Sequence, residues 1–193
     1  MNKDKFVGLI GLGYWGKNIL RNLFELGVLH TAGDASHQII SERSKEFHGV
    51  KYTTKYEEML NNKDIKAVAI ATPAATHYEY VKQALLAGKD VFVEKPLALT
   101  VKEGQEIVDI ASKGKRVLVV GHILLYHPAV IKLKEVIASG VLGKVEYIYS
   151  NRLNIGKLRT EENILWSFAP HDISVIIMLL EEEPASVKAF GGD

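Results

Sequence analysis

Lys5-Phe6-Val7-Gly8-Leu9-Ile10-Gly11-Leu12-Gly13-Tyr14-Trp15-Gly16 is the stretch that decides the fold. Lys5–Ile10 reads as a buried strand, and Tyr14–Leu26 then carries apolar residues at helical spacing. Three glycines at G-x-G-x-x-G spacing join the two. Alone the glycine pattern is common; between a strand and a helix it has the context that dinucleotide binding requires. Gly11 makes the tight turn, Gly13 lets the backbone approach a pyrophosphate, and Gly16 lets the helix pack on the strand. The helix N-terminus offers unpaired N–H groups and a positive dipole to phosphates.

Outward from this unit the alternation continues. Val28–Asp34 reads as a strand, with Gly27 stopping the helix before it. Ser36–Phe47 reads as a helix, Val50–Tyr52 as a strand and Tyr56–Leu60 as a helix. Ala67–Ala71 is an unbroken apolar run, as in a strand buried on both faces. Thr76–Leu86 reads as a helix opened by a Thr76–Glu79 capping box. Asp90–Val93, Val101–Ser112 and Val117–Val120 follow as strand, helix and strand. Such alternation predicts an α/β fold, a doubly wound parallel sheet of Rossmann type over residues 1–121. Asp34 closes the second strand about 20 residues beyond the glycines, where an acid accepts hydrogen bonds from the adenosine ribose hydroxyls. A ligand-free glycine turn or a methyltransferase pocket shares the glycines; Asp34 favours a dinucleotide, and NAD over NADP, because a carboxylate repels a 2′-phosphate. Arg43 and Lys45 fall inside the following helix and read as solvated.

Residues 122–193 are patterned differently. Pro128–Ala138 reads as a helix with Gly140 beyond its end, Lys144–Asn151 as a strand with one covered face, Pro170–Leu180 as an apolar helix and Ser186–Phe190 as a strand. So few strands leave apolar face and open edges, so this part is incomplete by itself: either another chain completes it, which predicts a homo-oligomer built through the unfinished sheet, or the sequence is a shortened version of a longer protein.

Composition narrows the function classes. Lys+Arg is 24 against Asp+Glu 23, a net charge of +1. That balance argues against nucleic acid as a partner. The chain has no cysteine, which excludes disulfides and a thiolate nucleophile and fits a reducing, cytoplasmic setting. Apolar runs are too short for a membrane span, and the N-terminus runs straight into a strand, leaving no room for a signal peptide. No His, Asp or Glu cluster has metal-ligand spacing, so no metal is expected.

Two further motifs carry chemistry. Glu94-Lys95-Pro96 sits at the C-terminal end of the fifth strand, where open α/β sheets bind ligands. A lysine there can direct its ammonium at a substrate hydroxyl or carbonyl; Pro96 fixes the strand exit and is a candidate cis proline. Trp166-Ser167-Phe168-Ala169-Pro170-His171-Asp172 opens the last helix, placing His171 in a first turn whose dipole keeps an imidazole neutral and basic.

Together, Gly11–Gly16, Asp34, Thr72-Pro73…His77, Glu94-Lys95-Pro96, Gly121-His122 and the distal His171 resemble the Gfo/Idh/MocA family of oxidoreductases. The resemblance covers the whole chain. It implies NAD as cofactor, held by Gly11, Gly13, Tyr14, Trp15, Gly16, Asp34, Thr72, Pro73, His77, Glu94 and Lys95. It implies that Lys95 hydrogen-bonds the reacting hydroxyl and His171 takes its proton as hydride leaves. The family pattern has an Asp four residues before this His; here Ser167 stands there. Asn151–Gly156, Arg159–Asn163 and Trp166–Ser174 are similar to the branch that oxidises C3 of UDP-N-acetylglucosamine or its uronate, a nucleotide-sugar small-molecule substrate. Lys95, Tyr126, Arg152, Asn154, Arg159 and His171 are the substrate-binding candidates. Arg152, Lys157 and Arg159 equally fit a solvated loop, and Tyr126 with His127 equally fits packing. Dehydrogenation of a free polyol such as inositol and a non-catalytic NAD-binding module remain alternative readings. The family also implies a longer, two-domain protein whose second domain is α+β with an open sheet, of which residues 122–193 would be the incomplete start.

Overall fold

The computed structural model describes residues 4–153 and 164–192. The chain divides into two compact units, Met1–Gly121 and His122–Asp193.

In the first unit strands and helices alternate: β1 (Val7–Ile10), α1 (Gly16–Glu25), β2 (Leu29–Gly33), α2 (His37–Glu46), β3 (Lys51–Thr53), α3 (Tyr56–Asn61), β4 (Ala67–Ile70), α4 (His77–Leu86), β5 (Asp90–Val93), α5 (Val101–Gly114) and β6 (Leu118–Val120). The six strands form one sheet in the order β3-β2-β1-β4-β5-β6, and every pairing is parallel. The order reverses between β1 and β4, and the ligand crevice of such a sheet opens at that reversal.

Side-chain alternation explains the layers. On β1, Val7 and Leu9 join a core with Leu20 of α1 and the apolar side of α2. Ile10, from the opposite face, joins Val68 and Ile70 of β4, Met59 of α3, Val81 and Leu85 of α4 and Ile107 of α5. Burying each such side chain on both faces contributes about 1.5–3 kcal/mol. That is why these strands read as continuous apolar runs.

Helix starts follow local chemistry. Ser36 caps α2 by accepting from Ile39 N–H at 3.4 Å, and Thr100 caps α5 by accepting from Glu103 N–H at 3.2 Å. The expected Thr76–Glu79 capping box does not form. The Thr76 hydroxyl instead lies 2.8 Å from both the Pro73 carbonyl and the Thr72 hydroxyl. A short 3₁₀ turn, Ala74–Thr76, leads into α4 and draws that hydroxyl back into the loop, away from the helix N–H groups.

The second unit holds a 3₁₀ turn (Ile123–Tyr126), α6 (Pro128–Ala138) and α7 (Ile164–Leu180). Pro128 occupies the first turn of α6, and His127 Nδ1 accepts from Ala129 N–H at 3.2 Å. The last helix begins well before Pro170, which lies inside it. Proline lacks the N–H that would bond the Trp166 carbonyl, yet the helix runs on through it to Leu180. Lys144–Asn151 and Ser186–Phe190, expected as strands, pair with nothing among the described residues. Alternation supplies the side-chain pattern of a strand, but a ladder needs a neighbouring backbone. The expected open sheet is therefore absent among the described residues. No helix among them is long and apolar enough to cross a membrane.

Candidate active site

The glycine turn is built by three different constraints. Gly11 has φ +90°, and a Cβ on it would lie 2.5 Å from the Ala71 carbonyl oxygen. A Cβ on Gly16 would collide with the Gly11 carbonyl. Both glycines are required by the protein's own backbone. Gly13 is different: a Cβ there would meet nothing within 4 Å. Packing does not explain its missing side chain, whereas a ligand pressed against the backbone does.

Gly13 lines a cavity of about 500 Å³ with Tyr14, Asp34, Thr72, Pro73 and Tyr80. Asp34 closes the far side of the turn. Its Oδ2 accepts from Leu12 N–H at 2.8 Å and its Oδ1 from Ser36 N–H at 2.9 Å. A carboxylate has roughly four acceptor positions, so two remain for ribose hydroxyls. Tyr14 stands almost fully exposed at the rim. Arg43, read as solvated, is not: only 13 % of its side chain is accessible. Its Nε donates to the Leu12 carbonyl at 3.3 Å and its Nη1 to Glu46 at 2.8 Å, so it braces the glycine turn from outside.

The second motif lies at the same end of the sheet. The β4–β5 ladder runs to Ile70↔Val93, and Glu94 N–H extends it by donating to the Ile70 carbonyl at 2.9 Å. Glu94 Oε1 accepts from the Trp15 indole N–H at 2.7 Å, tying the glycine turn to the exit of β5. A Cβ on Gly121 would sit 3.0 Å from Glu94 Oε2, so that glycine gives the carboxyl its place. Burial pushes the Glu94 carboxyl above its ordinary range, opposed by the Trp15 hydrogen bond. Lys95 follows, half-buried, and the Lys95–Pro96 peptide is cis.

His77, expected against the cofactor, is buried with only 1 % of its surface exposed. Its Nδ1 lies 2.6 Å from the Pro96 carbonyl oxygen and its Nε2 2.9 Å from the Thr72 carbonyl oxygen. Each ring nitrogen thus faces a backbone carbonyl, and a neutral ring has one N–H with which to donate to one of them.

The residues present therefore fit a dinucleotide: an open glycine cradle, a helix N-terminus behind it and an acid at the end of β2. Comparison with known proteins agrees. Residues 5–122 match the model of an oxidoreductase family with an NAD-binding Rossmann fold, GFO_IDH_MocA. The chain belongs to the Gfo/Idh/MocA family. It is 30 % identical to the inositol 2-dehydrogenase/D-chiro-inositol 3-dehydrogenase of Lactiplantibacillus plantarum, over 95 % of this chain and 55 % of that protein. It is 26 % identical to the UDP-N-acetylglucosamine 3-dehydrogenase of Acidithiobacillus ferrooxidans, over 95 % and 57 %. It matches the structure of GenD2 from gentamicin A biosynthesis in complex with NAD with a TM-score of 0.79 and 22 % identity, over 93 % of this chain and 56 % of that one. The chain spans about half the length of the relatives it matches.

As a Gfo/Idh/MocA member, the chain carries the family's NAD-binding Rossmann fold. The second unit holds the other expected site residues. His171 lies mid-helix in α7, not in a first turn, so the dipole argument for its neutral form fails. Ser167, one turn earlier, is buried. The next residue, Asp172, receives both faces of the Arg152 fork: Nε to Oδ2 at 3.0 Å and Nη2 to Oδ1 at 2.9 Å. This bidentate hydrogen bond from Arg152 holds the Asp172 carboxyl below the usual carboxylate range. Arg152 thus already grips a carboxylate of its own chain. Tyr126 is strongly exposed at the end of the 3₁₀ turn. His122 Nδ1 is buried and makes no hydrogen bond among the described residues, and burial lowers the pKa of the ring. Asn154, Lys157 and Arg159 lie outside the described residues. Among the described residues no group of His, Asp or Glu is placed to hold a metal ion.

Sequence reading missed Arg43, the Trp15–Glu94 tie and the need for glycine at 121. Only the Gly121-His122 pair was visible as a motif. The other two contacts join residues whose separation along the chain carries no periodic signal.

Proposed function

We propose that this chain is the cofactor-binding and catalytic part of a dehydrogenase that oxidises a ring CH–OH of a sugar or cyclitol to a ketone. The observation that carries the reading is the pairing, at one end of one sheet, of the open Gly13 cradle beside Asp34 with Lys95 at the exit of β5. NAD, when bound, supplies the hydride acceptor. The chain does the rest. The glycine turn and the N-terminus of α1 hold the pyrophosphate, Asp34 holds the adenosine ribose, and Thr72 and Pro73 wall the cleft. Lys95 donates a hydrogen bond to the oxygen of the reacting hydroxyl and favours loss of its proton. His171 accepts that proton on a ring nitrogen.

A UDP-linked N-acetylated hexosamine or its uronate, oxidised at C3, is the nucleotide-sugar form of this reading. It rests on the Asn151–Gly156 and Arg159–Asn163 segments and on the 26 % identical relative. A free cyclitol is the second form. It is favoured by the 30 % identical inositol dehydrogenase and by Arg152, whose fork is occupied by Asp172 instead of standing ready for a diphosphate. Self-association through the second unit belongs to the same reading.

The test is NAD-dependent turnover of myo-inositol and of UDP-N-acetylglucosamine. A positioned base contributes about 10²–10⁴-fold, so Lys95→Ala and His171→Ala should each lose at least about 10²-fold while NADH still binds. Undiminished turnover in both variants would remove the mechanism. Thermal stabilisation by UDP alone selects the nucleotide sugar, since a ligand bound only to the folded state raises its stability.

A further inference from the structure

We propose that His77 is a positioning residue that locks the lysine-bearing exit of β5 to the cofactor-facing loop of β4. The inference rests on the reading above, in which Lys95 acts on a substrate beside a bound dinucleotide. The two strands are fixed to each other by their ladder only as far as Ile70↔Val93 and the Glu94–Ile70 bond. Thr72 and Lys95–Pro96 lie beyond it. There the buried imidazole takes over, with Nδ1 on the Pro96 carbonyl and Nε2 on the Thr72 carbonyl. Thr72 lines the cleft, and Pro96 is bonded directly to Lys95. One ring therefore sets the distance between the cofactor wall and the reactive lysine.

The ring is also held firmly enough for this work. His77 opens α4, whose Val81, Ala84 and Leu85 are buried in the core beneath the sheet. A carbonyl oxygen only accepts and a neutral imidazole carries one N–H, so the neutral ring donates to one of the two carbonyls and meets the other by close contact, while a doubly protonated ring donates to both. At 1 % exposure the imidazole exchanges no partner with water. His77 touches neither substrate nor cofactor in this account; it acts through the two backbone segments it joins.

Two isosteric variants separate the ties. The amide nitrogen of asparagine falls where Nδ1 was, and that of glutamine where Nε2 was. His77→Asn keeps the Pro96 tie and loses the Thr72 tie; His77→Gln does the reverse. In the full chain two readouts are measured: the NADH dissociation constant by fluorescence, and the labelling rate of Lys95 by an amine reagent, with and without NADH, by mass spectrometry. His77→Asn should weaken NADH about tenfold and retain the protection NADH gives Lys95. His77→Gln should hold NADH affinity within about threefold and lose that protection. Equal movement of both readouts in both variants, tracking only a lower Tm, would overturn the proposal in favour of simple core filling. If neither variant folds, ¹⁵N-histidine NMR of the unmodified chain decides. A ring N–H of His77 protected from exchange supports the strap; exchange at the solvent rate refutes it. Failure of the unmodified chain to bind NADH would instead remove the underlying cofactor reading and leave the NMR result standing.

Discussion

The unit Met1–Gly121 and the unit His122–Asp193 contain similar apolar side chains and treat them differently. The first buries them on both faces of a six-stranded sheet, in two cores. Among the described residues of the second, Ser167 and Leu179 alone are buried, while Tyr147, Tyr149, Leu153, Val187 and Phe190 stand exposed. Both contain strand-like stretches, continuous apolar runs in the first and alternating segments in the second. Among the described residues only those of the first find a neighbouring backbone. An apolar pattern therefore specifies what a segment can become, and a partner decides whether it does.

This contrast is open to direct attack, and the largest effect is expected within the first unit. Gly16→Val drives a side chain into the Gly11 carbonyl and should cost more than about 3 kcal/mol, enough to leave much of the chain unfolded by circular dichroism. Gly13→Val enters open space. It should change Tm little and abolish detectable NADH binding. If the two variants melted alike, the division between a packing glycine and a ligand glycine would be wrong.

The next effect sets one unit against the other. Leu9 is fully buried and Phe190 is 95 % exposed. Leu9→Ala should cost about 2–5 kcal/mol in chemical denaturation. Phe190→Ser should stay within about 0.5 kcal/mol. A large loss from the second substitution would show that this residue is covered in solution.

The smallest effect asks whether the site carries a cost inside the well-packed unit. Burial raises the Glu94 carboxyl above its ordinary range. Between that range and its folded-state value, the folded chain keeps a proton that the unfolded chain has released. Stability therefore falls as pH rises through the window. Glu94→Gln should flatten the dependence of Tm on pH there and raise Tm at neutral pH. Parallel Tm curves for both proteins would show that the carboxyl is not penalised.

Legibility in the sequence divides along the same line. Strand–helix alternation, the glycine turn and Asp34 were readable because each rests on a local rule: a period, a φ requirement, a fixed spacing after a strand. Expectations failed where a local pattern met a tertiary alternative. Thr76 matched a capping box, but its hydroxyl turned to Pro73 and Thr72. Pro170 looked like a helix start, but Ile164–Ala169 continued the helix upstream. Arg43 looked solvated because it lies within a helix whose neighbours are polar, yet it reaches the Leu12 carbonyl 31 residues away.

From residue order alone came the parallel α/β sheet, the dinucleotide turn and the family, since repeating apolar periods and glycine spacings are properties of the chain itself. Tertiary structure alone decided that His77 meets the Pro96 and Thr72 carbonyls, that Trp15 holds Glu94, that Arg152 is claimed by Asp172, and that two strand-like segments pair with nothing among the described residues. Each of these depends on which distant group arrives within hydrogen-bonding distance, and no local rule along the chain records that arrival.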